Sequence, residues 1–122
     1  MRARDRETGL RLKRFHMEER RRQLGQIETM MEEFGRMVSD LDHEVAAEHR
    51  RTGIDDEKHF AYSTYAKAAS QRRNNLQASV ADLESQREAA QAALAEALSD
   101  LRQEEERLER ETALLEAERA TG

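Results

Sequence analysis

The chain has 122 residues, of which 39% are charged, 37% hydrophobic and 4% aromatic, and it contains no cysteine, proline or tryptophan. The lack of cysteine excludes a disulfide framework, a thiolate zinc site and a thiol nucleophile, and a net charge of −5 is too small to predict nucleic-acid binding. No apolar run approaches the roughly 20 residues of a membrane span and the charged N-terminus does not resemble a signal peptide, so we expect a cytosolic protein without direct membrane insertion.

The first predicted element is a helix over about residues 4–52. Six apolar residues recur in it at intervals of seven: Leu10, Met17, Leu24, Met31, Val38 and Val45. The series three residues further on is apolar at Ile27, Phe34 and Leu41 and polar at Lys13, Arg20 and Glu48. Alternating spacings of three and four residues are typical of a coiled-coil seam. We therefore predict one apolar edge, weaker toward the N-terminus.

A short connection is predicted over residues 53–63. Gly53 is well suited to end the first helix, since glycine readily adopts the left-handed conformation found there. Asp55, Asp56 and Ser63 are candidate caps for the next helix, because their side-chain oxygens can accept hydrogen bonds from its first N–H groups.

Aromatic residues concentrate around this connection. Phe60, Tyr62 and Tyr65 are three of the five aromatic residues of the chain, and Ile54 is close by in sequence. Two interpretations stay open. These side chains either form a small cluster that closes the end of the hairpin, or they form a surface on which a partner docks.

The second predicted helix covers about residues 64–119 and has a seam of its own. Its two apolar series contain Val80, Leu94, Leu101, Leu108 and Leu115, and Ala69, Leu76, Leu83, Ala90 and Ala97. Helix, connection and helix together predict an all-α fold, a single long two-helix antiparallel coiled-coil hairpin over residues 1–122 in which each seam buries the other.

Two helix registers are possible for this hairpin, and they give equal numbers of apolar layers. In one, facing residues have numbers that sum to 114, which places Val38 on Leu76. In the other the sum is 121, which places Val45 on Leu76. We favour the sum of 121, because it starts the second helix near Ser63 and makes the two helices nearly flush.

Charge supports antiparallel pairing. Residues 2–22 carry nine basic and four acidic side chains, and residues 99–119 carry four basic and eight acidic ones. Folding back places the basic segment beside the acidic one. Each exposed pair contributes only about 0.2–1 kcal/mol, so the joint effect is mainly to select antiparallel over parallel pairing.

Several apolar residues lie off the predicted seam. Met30 and Met37 flank it and either widen its coverage or form a second contact face for another helix. Leu12 and Phe15 mark either a local shift of the heptad or an exposed docking spot beside the basic segment.

Nothing in the sequence indicates catalysis, a cofactor or a metal. The histidine and carboxylate spacings that begin at Asp40 and Asp56 would need further ligands from other helices, and two helices enclose no concave pocket. The basic run Arg20–Arg22 lacks the interleaved aromatic residues of single-strand binders. We expect a protein that is not an enzyme and does not bind nucleic acid.

Four segments resemble the FliJ family of flagellar type III export proteins, in its alphaproteobacterial branch. They read LRLKRF over residues 10–15, QIETM over 26–30, HFAYSTYAKAA over 59–69 and QRRNNL over 71–76. The third is the most specific of the four, since its residues do not merely repeat the heptad pattern of a coiled coil. Ser63 departs from the pattern, which has proline at that place.

The resemblance implies a cytoplasmic, non-catalytic component of the bacterial flagellar export apparatus, peripheral to the inner membrane at the flagellar base. Members form an antiparallel coiled coil similar to the stalk of rotary ATPases. They bind the hexameric export ATPase and the cytoplasmic domain of the export gate, and they assist export chaperones. The runner-up interpretation is a general coiled-coil adaptor or scaffold without export function.

Residue by residue, the resemblance places one set of side chains near the ATPase ring and another near the gate. The first set is Arg11, Lys13, Arg14 and Phe15. The second is Phe60, Tyr62 and Tyr65.

Overall fold

The computed structural model describes residues 3–122, and it is all-α over that range. Helix α1 runs over Ala3–Thr52 and helix α2 over Thr64–Thr121. They pack against each other, which confirms the predicted helical hairpin. The predicted helix bounds, about 4–52 and 64–119, differ from these by one residue at the start of α1 and two at the end of α2.

Local chemistry sets both ends of the connection. Gly53 has a φ of 72°, a conformation that glycine adopts without steric cost, and its N–H donates to the carbonyl of His49 at 2.8 Å. At the other end, the hydroxyl of Ser63 accepts the N–H of Ala66 at 3.1 Å, so Ser63 is the N-cap of α2. Asp56 does not cap α2. Its carboxylate instead accepts the N–H of Lys58 at 2.9 Å within the connection.

Contacts within the described chain fall into two compact units. In the terminal unit, the segment of α1 up to Gly25 pairs with Glu88–Gly122. Its core consists of Leu10, Met17 and Leu101, with four partly buried residues packed around them: Leu94, Ala97, Leu98 and Leu108.

The loop unit comprises Gln26–Arg87. Its core consists of Leu41, Val45 and Ala69, and the partly buried Leu76 packs against them. Ala66 and Ser70 are also buried at the start of α2. These small side chains let the first turns of α2 approach α1 closely.

Contacts between the helices show the sum-114 register in the loop unit. Arg73 forms an ion pair with Asp42 at 2.9 Å, and the hydroxyl of Ser63 donates to Glu48 at 3.2 Å. The residue numbers of these pairs sum to 115 and 111. In the terminal unit, Arg6 forms an ion pair with Glu111, with a sum of 117.

The sum-121 register that we favoured is therefore wrong. Helix α1 ends at Thr52 and α2 begins at Thr64, so the two helix ends lie level when facing numbers sum to about 116. A sum of 121 would leave the first turn of α2 beyond the end of α1 and would expose Ala66, which is 0% exposed in the structure. A serine cap at position 63 is compatible with the sum-114 register.

The chain contains no cysteine, so introduced cysteine pairs can test the register. We expect Val45→Cys with Ala69→Cys to form a disulfide on oxidation. Val45→Cys with Leu76→Cys should stay reduced, because seven residues along a helix displace the second position by about 10 Å. Electrophoresis without reductant distinguishes the products. If the second pair cross-linked in place of the first, the helix register with facing numbers that sum to 121 would be correct.

Candidate docking surfaces

The residues that the sequence singled out lie on three surfaces. The first is the connection between the helices. The other two are an exposed apolar pair in the terminal unit and a groove in the loop unit. Neither helix, within residues 3–122, contains a stretch both long and apolar enough to cross a lipid bilayer.

Hydrogen bonds organise the connection as two successive turns. The N–H of His59 donates to the carbonyl of Asp56 at 3.1 Å, and the N–H of Tyr62 donates to the carbonyl of His59 at 3.0 Å. The side chain of His59 adds a further bond, since its Nδ1 accepts the N–H of Ala61 at 3.0 Å. The turn that carries Phe60 is therefore preorganised.

The three aromatic residues predicted as one cluster have separate roles. Phe60 is 97% exposed, and its ring stacks on that of His59 with centroids 4.7 Å apart. Tyr62 is partly buried, and its hydroxyl lies 2.8 Å from Nε2 of His49 on α1. Tyr62 therefore closes the hairpin, as the first interpretation expects, whereas Phe60 projects from it. Docking of a partner on Phe60 stays a prediction.

Glu48 joins the two helix ends on the same side of the connection. Its carboxylate accepts hydrogen bonds from Arg51 and from the hydroxyl of Ser63. These bonds, Arg51 first, hold the pKa of Glu48 below its ordinary value, against a smaller opposing effect of burial. The carboxylate thus bridges the last turn of α1 and the N-cap of α2.

In the terminal unit, Leu12 and Phe15 are each 55% exposed. Leu10 and Met17 remain buried on either side of them, so the seam continues and no local heptad shift occurs. The ring of Phe15 makes an edge contact with that of His16, at 6.0 Å between centroids. Leu12 and Phe15 thus form an exposed apolar pair on α1.

Basic side chains surround this pair unevenly. Arg11 and Arg14 are exposed, whereas Lys13 is partly buried. Lys13 lines a shallow groove with His16 and Arg20 on α1, opposite Glu96 and Asp100 on α2. Of the predicted basic set, Arg11 and Arg14 are the two that are free to meet a partner beside Phe15.

The third surface, which we call the methionine groove, lies between the helices of the loop unit. Its floor is formed by Leu41, Ala68 and Ala69. Its walls are Met37, Asp40 and Glu44 on α1 and Tyr65 and Arg72 on α2. Met30 and Met37 are 39% and 42% exposed, so they widen the seam only in part.

Tyr65 belongs to this groove and not to the aromatic face of the connection. It lines the groove together with Glu44, and interaction with that carboxylate, through hydrogen bonding first and charge second, raises the pKa of Tyr65. The sequence alone did not reveal the groove, because Tyr65 and Arg72 face Glu44 only in the sum-114 register. The presence of Glu44 and Arg72 at equivalent heptad positions was the signal that could have indicated it.

Among residues 3–122, no three histidine or acidic side chains converge as a metal site would require. No protein-family model, curated protein or solved structure matches this chain.

The Glu48 bridge predicts an acid-sensitive connection. A carboxyl whose pKa is depressed by folding contributes stability above its unfolded value and loses it as the pH falls through the folded value. We therefore expect stability to decline below the ordinary value of 4.5. Glu48→Gln should unfold at a lower temperature than the wild type at pH 7 and at a similar temperature near pH 3.

Thermal unfolding followed by circular dichroism measures this difference. Glu33→Gln, at an exposed position of the same helix, is the matched control and should follow the wild type at both pH values. An equal gap between Glu48→Gln and the wild type at pH 7 and pH 3 would contradict the proposed bridge.

Proposed function

We propose that this chain is a non-catalytic component of the bacterial flagellar type III protein export apparatus, of the FliJ kind. In this role it acts as a stalk and escort. It binds the export ATPase hexamer and the cytoplasmic domain of the export gate, and it assists substrate transfer from export chaperones. It would work in the cytoplasm, peripheral to the inner membrane at the flagellar base.

The observation that carries the proposal is the position of the resembling segments on exposed surfaces. The segment LRLKRF over residues 10–15 contains the exposed pair Leu12 and Phe15 with two exposed arginines. The segment HFAYSTYAKAA over residues 59–69 contains Phe60, which is almost fully exposed. Large apolar side chains in such positions are typical of protein contacts.

Each surface has a chemistry suited to a different partner. Leu12 and Phe15 lie beside Arg11 and Arg14, so this surface fits an apolar site with an acidic rim, which we assign to the ATPase ring. Phe60 follows the acidic run Asp55–Glu57, so its surface fits an apolar pocket with a basic rim, which we assign to the gate. Opposite charges in the two surfaces help keep the partners distinct.

Tyr62 and Tyr65 take a smaller part in this proposal than the resemblance implies. The hydroxyl of Tyr62 lies at hydrogen-bond distance from His49, and Tyr65 interacts with Glu44. We assign Tyr62 the role of supporting the turn from which Phe60 projects. Lys13, partly buried in the seam, likewise supports the surface and contributes less to ATPase binding than Arg14.

The two phenylalanines allow a reciprocal test. We expect Phe15→Ala to weaken binding to the export ATPase and leave gate binding unchanged, and Phe60→Ala to do the reverse. A central aromatic contact contributes about 2 kcal/mol, or about thirtyfold in affinity. Titration of each purified variant against each partner measures both effects, and each variant is the control for the other.

A charge reversal tests the basic rim separately. Arg14→Glu should weaken ATPase binding, and Arg36→Glu, at an exposed position elsewhere on α1, should not. Wild-type protein that binds neither the ATPase nor the gate would reject the export function and leave the adaptor interpretation. ATPase activity should rise when the chain is added, while the chain alone shows none.

A further inference from the structure

The chain has more surface than a self-contained protein of its mass. It exposes 9306 Å², whereas monomers of 14.1 kDa expose about 6,700 Å². The excess of about 2,600 Å² per chain is larger than the roughly 800 Å² that each partner contributes to a standard interface. Two helices without a third layer leave their seam open on both sides, so an additional partner layer can be accommodated.

The methionine groove is the part of this surface best suited to such a layer. Its alanine floor lets another helix approach closely, and Met37 and Tyr65 supply apolar walls that can adjust to a facing helix. Met30 lies two turns before Met37 on the same side of α1 and is also exposed. Together they extend the apolar strip along α1.

The charged side chains that line the methionine groove indicate which kind of partner can cover it. Glu44 on α1 and Arg72 on α2 line it at one level, since their numbers sum to 116 in a register near 114. Arg72 forms no ion pair with any residue in the range 3–122. One acidic wall and one basic wall at the same level make the surface complementary to itself.

We propose that a second copy of this chain covers the methionine groove. The two-fold axis of this dimer runs parallel to the helices, so that α1 of each copy lies against α2 of the other. Glu44 of one copy then meets Arg72 of the other, and the same contact occurs twice, as a closed two-fold interface requires. The methionines and Tyr65 become part of a four-helix core in the loop unit.

A two-fold axis perpendicular to the helices fits less well. It would place α1 against α1, and, if centred at Met37, it would set Glu44 beside Met30 of the other copy. The carboxylate would then face a thioether with no cation, which is unfavourable in a covered position. Compared with this arrangement, the charges favour the parallel axis. This inference concerns the chain by itself and does not rest on the proposed export function.

Sedimentation equilibrium of the purified full-length chain tests the dimer. We expect a reversible monomer–dimer equilibrium for the wild type. Met37→Glu should weaken it about a hundredfold, because each dimer would then bury two carboxylates among apolar side chains. Leu114→Glu is the matched control, since it places the same charge on an exposed apolar position of the terminal unit, and it should leave the equilibrium unchanged.

Charge exchange tests the arrangement itself. Glu44→Arg alone and Arg72→Glu alone should both be monomeric, because each dimer would bring like charges together twice. Mixing the two variants should restore association, since the mixed dimer contains two opposite pairs. Effects confined to one chain would not be rescued by mixing, and helical circular dichroism of each variant shows that it is folded.

A wild-type chain that stays monomeric up to about 100 µM would overturn the proposal, and a foreign helix would then be the occupant of the groove. Dimers that persist in Met37→Glu would overturn it as well. So would a mixture of the two charge variants that fails to associate.

Discussion

Two helices can bury only one seam between them, and the rest of this structure follows from that limit. Eight apolar side chains are buried along the described chain. They are Leu10, Met17 and Leu101 in the terminal unit, and Leu41, Val45, Ala66, Ala69 and Leu83 in the loop unit. Within residues 4–122, every other apolar residue is partly or wholly exposed. Such residues therefore mark either the edge of the seam or a surface that another molecule covers.

The connection compensates for this narrow core by local means. Serine and glycine satisfy the helix ends, and a carboxylate joins the two helices across the gap. The hydroxyl of Tyr62, within the connection, lies at hydrogen-bond distance from a ring nitrogen of His49 on α1. Polar contacts of this kind contribute little individually, but several of them act on the same few residues. An ordered turn results, and it presents an aromatic ring without requiring a core beneath it.

Helix bounds were the most predictable part of the fold. Seam periodicity, Gly53 and Ser63 are local signals, and the structure places the helix ends within two residues of those predicted. The register was not predictable from apolar layers, which were equal in number for both sums. It is decided by the small side chains Ala66, Ala69 and Ser70, which permit close approach where α2 begins, and by contacts between residues that are distant in sequence.

The candidate surfaces were predictable to a similar extent. Phe15 and Met37 departed from the seam in the sequence and are exposed in the structure. The different roles of Phe60 and Tyr62 could not be predicted from the sequence, because they depend on one hydrogen bond between Tyr62 and His49, which are 13 residues apart in the chain. The methionine groove was hidden for the same reason, as it exists only once the register is known.

The attachment of Tyr62 to His49 also has a mechanical consequence. Phe60 is two residues from Tyr62, and Tyr62 is one residue from the cap of α2. A tensile load on the exposed ring would therefore be shared by both helices from the outset, since the hydroxyl of Tyr62 is linked to α1 and its backbone leads into α2. A partner bound to the Phe60 ring would therefore transmit force to both helices at once and would not separate one helix from the other.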